Sequence, residues 1–376
     1  MKPQQIILFP LGLVWGIIAQ IKRTLYELLN LRSVGSLPNI VVGNINVGGT
    51  GKTPTIIWLY NQLLTLGISS EKMGVLSRGY KRQTKGFTWV NFNSTPDEVG
   101  DEPLEILSAV TLQPSSNPMR VAVCENRVVG INRMRQQSNP LSLVLLDDGF
   151  QHLRLKHDLG FLLCDYQKPF TKDWPLPTGR LREFPWASNS ASALIVTNCP
   201  KDLSHQQAEA FQLNLKKQMN RWMWLPRLLS PDKSVKWEKS IAFFCTATST
   251  PSSANGQAFL SSDSPVYLIT GIANPHRVSN NMNGYQIVQH DKFGDHHIFS
   301  KTDINRIILT FNNLHKKHPA LAVITTRKDY VKLQSIWPNN LPLFLVASHL
   351  QPLFDSDKKI TQLIKNFIHG SSYSSS

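Results

Sequence analysis

The stretch Ile40-Val41-Val42-Gly43-Asn44-Ile45-Asn46-Val47-Gly48-Gly49-Thr50-Gly51-Lys52-Thr53-Pro54 decides how the fold is read. Three β-branched residues make a short strand, and the glycines after them allow a tight loop. Pro54 falls in the first turn of a helix, where a missing N–H costs nothing. A strand, a glycine-rich loop and a helix N-terminus in that order form an anion site, because amide groups converge and the helix dipole adds its positive end. The spacing predicts that Asn46, Val47, Gly48, Gly49, Thr50, Gly51, Lys52 and Thr53 line a nucleotide, with Lys52 on the β- and γ-phosphates and Thr53 on magnesium. The strict pattern GxxxxGK[ST] has glycine where this chain has Asn46. A glycine-rich turn with a fortuitous Lys-Thr pair is the plain alternative, and it must account for the companion motifs as well.

A phosphate loop needs a second acid for magnesium, ordinarily at the end of an apolar strand. Leu143-Val144-Leu145-Leu146 runs into Asp147-Asp148, which supplies one. Two adjacent carboxylates at a strand end call for a cation, for hydrogen-bond donors or for exposure to water. Asp147 is the choice for the magnesium network, with Asp148 beside it. Gly100-Asp101-Glu102-Pro103 reads as a turn bounded by Gly and Pro, and Asp295-His296-His297 lies far along the chain. Alone, the first is an ordinary solvated turn and the second a pair of surface or packed histidines. A kinase acting on a sugar hydroxyl needs an Asp or an Asp/His pair at close range to accept its proton, so these positions gain interest only together.

Working outward, short apolar runs at 40–42, 74–76, 120–124, 143–146, 160–164 and 193–197 alternate with helical patterns such as Thr55–Leu66. Near-continuous apolar strands separated by helices predict a parallel sheet covered on both faces. A helix over Ser204–Trp222 and a boundary over Pro226–Ser234 follow. Beyond them come strands near 240–245, 266–270, 286–289, 321–325 and 343–346, and helices over 301–314 and 355–368. The fold class expected is α/β: a P-loop NTPase-like parallel sheet between helices, a second smaller α/β domain, and an N-terminal membrane-associated helix. The expected boundaries are 1–34 for that helix, 35–230 for the P-loop core, 231–369 for the C-terminal domain and 370–376 for a disordered tail. Residues 246–264, rich in Ser and Thr, read as a long loop or insertion.

The chain has 376 residues, too many for one ordinary core, and a formal charge of +15 that points to anionic partners. No aromatic-basic RNA motif or zinc-finger spacing accompanies the charge, so no nucleic acid partner is expected, and no protein partner is inferred. The four cysteines, Cys124, Cys164, Cys199 and Cys245, form no CxxC pair and read as buried hydrophobes in a reducing compartment. Ile6–Ala19 is uncharged but short for a bilayer span, and from Ile21 the spacing turns amphipathic with Lys22, Arg23, Glu27 and Arg32 interleaved. A monotopic anchor with its cations at the headgroups fits both segments. A helix packed on the protein body and a secretory signal are the alternatives.

The blocks VGNINVGGTGKTP (42–54), SRGY (77–80), GDEP (100–103), LLDDGFQH (145–152), LPTGRLREFP (176–185), GIANPHR (271–277), FGDHH (293–297) and TTRKDYVKL (325–333) together resemble the tetraacyldisaccharide 4'-kinases, also called lipid A 4'-kinases. The resemblance implies transfer of the γ-phosphate of Mg-ATP to the 4'-hydroxyl of a lipid A disaccharide 1-phosphate, by two α/β domains closing over the nucleotide. It implies a peripheral or monotopic enzyme on the cytoplasmic face of the bacterial inner membrane. On the family pattern Asp101 pairs with His296 to activate the hydroxyl, Lys52 and Thr53 keep their roles, and Asp147 and Asp148 take the second-acid role. Arg78 suits phosphate or substrate by its bidentate guanidinium, and Gln151, His152 and Arg182 are further substrate-side candidates. In two places the chain departs from the pattern: Arg327 stands where the block usually reads Glu, and Arg180 stands where Pro is frequent. A P-loop ATPase or kinase acting on a soluble metabolite is the competing expectation.

Overall fold

Apolar runs become central strands here because both faces of the sheets are covered. In chain order the elements are α1 (Pro3–Leu28), β1 (Asn39–Gly43), α2 (Lys52–Thr65), β2 (Met73–Ser77), β3 (Thr88–Trp89), α3 (Pro96–Val99), α4 (Asp101–Thr111), β4 (Arg120–Val123), α5 (Arg127–Arg135), β5 (Leu143–Asp147), β6 (Leu159–Asp165), β7 (Ala193–Cys199) and α6 (His205–Trp222). They continue as β8 (Ser240–Thr248), β9 (Pro265–Thr270), α7 (Pro275–Asn281), β10 (Gln286–Lys292), α8 (Lys301–His315), β11 (Ala322–Thr326), α9 (Arg327–Leu333), β12 (Leu343–Val346), β13 (Ser348–Leu353) and α10 (Ser356–Gly370). This computed structural model describes residues 3–111, 119–137, 139–223, 237–253, 260–282 and 284–370. The expected boundary over 226–234 and the expected tail over 371–376 lie outside the described residues, and Gly370 closes α10.

Two compact units are formed, and neither is a single run of sequence. Residues 1–78, 124–246 and 350–376 make the first, and residues 79–123 and 247–349 make the second. The linear expectation of one boundary at 230/231 differs in that residues 79–123 group with the later segment, while the C-terminal helix returns to the earlier one. The reason is strand adjacency: β8 pairs in parallel with β7, and Ser356 at the start of α10 accepts the Phe243 amide of β8 on its hydroxyl oxygen.

In the first unit the strands lie in the order β13-β8-β7-β6-β1-β5-β2. From β8 to β2 every pairing is parallel. Strand β1 is central and wholly buried, and its register against β5 sets Val42 opposite Asp147. All four cysteines are buried, and burial pushes the Cys164 and Cys199 thiols up to about 12.

The second unit has the parallel order β10-β9-β11-β12. Successive strand residues face opposite sides: Tyr267, Ile269 and Val323 pack under Ile304, Ile307 and Phe311 of α8. Val266, Leu268 and Ile324 pack under Val278 and Met282 on the other face. The segment Gly100–Pro103, expected as a turn, instead starts a helix. Gly100 has φ +91°, a value that only glycine takes without strain, and Asp101 is the first residue of α4. Thr246–Thr248, expected in a loop, complete β8.

The N-terminal helix also differs from the expectation. It is continuous over 26 residues despite Pro10, about 39 Å long at the ordinary rise, so its length and composition suffice to cross a bilayer. One side is docked on the 174–190 loop. A side chain at Gly12 would strike Thr178 and one at Gly16 would strike Phe184, while the Trp15 indole donates to the Arg182 carbonyl at 3.0 Å. Arg23 was expected at headgroups but is buried against Glu183, with N–O distances of 2.8 and 2.7 Å. Ile7, Leu11, Val14, Ile18, Ile21 and Leu25 remain exposed. Removing one partner of a buried pair strands the other charge. Arg23→Met is therefore expected to cost about 3–5 kcal/mol, read as a fall in Tm, and Arg23→Met/Glu183→Met is expected to recover most of that loss.

Candidate active site

The phosphate loop is rigid before any ligand is considered. Gly48 and Gly51 have φ of +122° and +86°, which accounts for glycine at both. Asn46 is not among the residues of positive φ, so the missing first glycine of the pattern costs the backbone nothing. The loop is braced from two sides. Val47 donates its amide to the Arg180 carbonyl at 2.7 Å and Arg182 donates to the Ile45 carbonyl at 2.8 Å. Asn44 donates to the Thr50 hydroxyl at 2.7 Å, and the Thr197 hydroxyl donates to the Thr50 carbonyl at 2.8 Å.

Lys52 and Thr53 open α2 directly after this loop, and Thr53 is buried. Register delivers the acid: Asp147 ends β5 beside β1 and accepts from the Ser77 hydroxyl at 3.0 Å. Asp148 turns away with φ +50° and meets Arg182 at 3.0 Å and the Lys52 ammonium at 3.9 Å. Burial raises its pKa, but Lys52 and Arg182 outweigh burial, and the net shift is downward. The same Arg182 nitrogen donates to Gln151 at 2.9 Å, and Gln151 donates to the Asn44 carbonyl at 2.7 Å. Lys52, Asp148, Gln151 and Arg182 thus form one connected network at the loop. Arg78 stands exposed just past β2.

His152 makes a backbone contact at the start of α5. Its Nε2 accepts the Arg127 amide at 3.2 Å, and burial followed by Arg127 lowers its pKa to about 4. It is a neutral acceptor that braces the start of α5. Arg127, which no motif signalled, is buried and donates to the carbonyls of Cys124 at 2.8 Å and Asp147 at 3.1 Å. A buried cation therefore lies directly behind the acid pair.

The second unit brings together two residues 195 positions apart. His296 Nδ1 lies 2.8 Å from Asp101 Oδ2. Asp101 sits in the first turn of α4, where a carboxylate is favoured, and its Oδ1 accepts the Glu102 amide at 3.0 Å. Burial raises its pKa, while the His296 hydrogen bond and Lys328 lower it further, leaving it at about 2. His296 has φ +59° and stands edge-on to Tyr80, ring centres 5.6 Å apart. Lys328 completes the cluster at 3.3 Å from His296 Nε2 and 3.7 Å from Asp101 Oδ2. Sequence reasoning did not single out Lys328, although it lies in the quoted 325–333 block.

The family model for Tetraacyldisaccharide-1-P 4'-kinase matches residues 4–369. The chain belongs to that family. A relative named Tetraacyldisaccharide 4'-kinase from Cytophaga hutchinsonii is 34% identical over 88% of this chain and 85% of its own length. Another of the same name, from Bacteroides thetaiotaomicron, is 32% identical over 98% of this chain and 94% of its own. The fold is similar to a crystal structure of LpxK from Aquifex aeolicus in complex with ATP, with a TM-score of 0.69 at 23% identity, covering 97% of this chain and 99% of that one. The family's matched span takes in both the loop network and the Asp101–His296 pair. Replacing Lys52 by Met removes the one ammonium at the loop network while leaving the backbone cradle. Affinity for a fluorescent ATP analogue is expected to fall on the order of 10- to 100-fold, as for loss of a charge-assisted hydrogen bond.

Proposed function

We infer that the chain is an ATP-dependent kinase that phosphorylates the 4'-hydroxyl of a tetraacylated glucosamine disaccharide 1-phosphate in lipid A biosynthesis. Family membership over nearly the full length supports this reading, and the observation that carries the chemistry is the hydrogen-bonded Asp101–His296 pair. The loop amides and Lys52 hold the triphosphate. Lys52 exchanges its ion pair with Asp148 for the phosphate oxygens, and Arg182 keeps Asp148 compensated. Asp101 is ionised at any pH near neutrality, so it accepts the hydroxyl proton as the oxygen attacks phosphorus. The bond from the γ-phosphorus to the bridging oxygen breaks, and its electron pair leaves with ADP. His296 orients the carboxylate by hydrogen bonding.

Among the described residues no cluster of three or more His, Cys, Asp or Glu side chains forms a metal site. The donor set nonetheless fits a magnesium ion shared with phosphates, which requires few protein ligands. The Thr53 hydroxyl and the Asp147 carboxylate would hold it, with Asp148 beside them, and its chemistry when bound is neutralisation of charge on the transferring group.

The competing reading is ATP hydrolysis or transfer to a soluble metabolite. The exposed apolar side of α1 favours a lipid acceptor, with the helix in or on the cytoplasmic face of the inner membrane and the basic surface facing anionic headgroups. In detergent, with γ-labelled ATP and the lipid disaccharide, label is expected on the disaccharide. Label found only in free phosphate would favour the hydrolase. Asp101→Ala is expected to lower transfer about 100- to 10,000-fold with nucleotide binding retained; transfer at the normal rate would remove Asp101 from the proton-accepting role. Ile7→Lys/Ile18→Lys is expected to weaken partition to anionic liposomes while sparing ATP binding, and unchanged partition would end the anchor assignment.

A further inference from the structure

We propose that Lys328 is a positioning residue of the acceptor site, whose ammonium occupies Nε2 of His296 and so fixes the ring as the tautomer protonated on Nδ1. The proposal rests on the kinase reading for its catalytic meaning, but its structural content stands on the geometry of the second unit alone.

An ammonium has donors and no acceptor. Lys328 lies 3.3 Å from His296 Nε2, nearer than the Asp295 carboxylate at 3.7 Å, so that nitrogen offers its lone pair to the ammonium and the ring proton sits on Nδ1. It is Nδ1 that faces Asp101 Oδ2 at 2.8 Å. The donor-only cation on one nitrogen and the acceptor-only carboxylate on the other thus require the same tautomer. Lys328 also lies 3.7 Å from Asp101 itself and 3.4 Å from Asp295, and its side chain is only 15% exposed.

Its place on the helix argues that the ammonium is kept for the site. Lys328 is in the first turn of α9, where a cation opposes the helix dipole. Its neighbour Asp329 does the structural work there. Fully buried, Asp329 takes the Gly271 amide and the Thr326 hydroxyl at 2.8 Å each and pairs with Lys332 at 2.6 Å. A side chain at Gly271 would come within 2.9 Å of that carboxylate. The start of α9 is thereby pinned to the end of β9, and Lys328 is aimed from a fixed base.

The charged surroundings are mixed. α4 contributes Asp101, Glu102 and Glu105, and the 293–299 turn contributes Asp295, while His297 is occupied by Asp303 at 3.1 Å. α9 adds Arg327 beside Glu105, and Lys332; the segment after β2 adds Tyr80, with Lys81 over its ring. Burial alone would lower the Lys328 pKa, but Asp101, Glu102 and Asp295 raise it above its ordinary value. The lysine thus stays charged, as the tautomer argument requires.

The test uses full-length protein labelled with ¹⁵N-histidine, with His296→Asn to assign the ring. Long-range ¹H–¹⁵N spectra are expected to show His296 as the Nδ1–H tautomer in the native chain and in Lys328→Arg. Lys328→Met and Lys328→Gln should show Nε2 carrying a proton in part of the molecules, because no ammonium then occupies its lone pair. In the same two variants the acid limb of the kcat/KM profile, a property of the coupled dyad, is expected to move to higher pH because a neighbouring cation is gone. There kcat should fall about 100-fold, with KM for ATP unchanged. An unaltered tautomer and an unaltered acid limb in the neutral variants would overturn the proposal. Misfolding of one neutral variant, seen as a lowered Tm, leaves the other to decide. Absence of phosphate transfer by the native chain would refute the kinase reading, while the spectra would still decide the role of Lys328.

Discussion

The parallel register of β1 against β5 is the constraint on which the nucleotide side of the molecule depends. Because Val42 stands opposite Asp147, the strand that feeds the glycine loop and the strand that ends in acid stop at the same level. Slipping the pair by one residue would turn Asp147 to the other face and bury apolar side chains wrongly along the whole strand. Five buried residues on each strand hold that register. The loop then needs only its own positive-φ glycines and the Thr197 and Asn44 braces to keep its shape.

Charge is handled in this loop region by sharing. Asp148 is compensated by Lys52 and Arg182, and Arg127 lies buried behind the pair with its guanidinium donating to the carbonyls of Cys124, Glu125 and Asp147. The cluster therefore tolerates two adjacent carboxylates, and Lys52 is held at the loop by an ion pair. In the second unit the logic is similar but the scaffold differs: a buried carboxylate, Asp329, secures the backbone, and the neighbouring lysine is left for the site.

Much of this was legible in the sequence, and for definite reasons. The central strands are buried on both faces, so their apolar runs stood out without periodicity. The loop announced itself because few chemistries need glycines and Lys-Thr at that spacing. The Asp101–His296 juxtaposition was not readable from spacing; it came only through the resemblance, since nothing local connects residues 195 positions apart. Composition also misled. Arg23 looked like a surface cation on an amphipathic helix, yet Gly12 and Gly16 bring that face close enough for Glu183 to take it. Gly100–Pro103 looked like a turn because Pro tolerates only the first turn of a helix, which is where Pro103 sits. The discontinuous units escaped a linear reading, because strand order in a parallel sheet need not follow the chain.

The cysteines carry a practical consequence. All four sulfurs are shut inside the units, and Cys164 and Cys199 hold their protons far above the pH at which maleimides and methanethiosulfonates react. The native chain is thus already a silent background for thiol chemistry. A single cysteine introduced on an exposed helix would carry a spin label or fluorophore with no prior removal of the natural ones, so movements of either unit could be followed in an otherwise unaltered protein.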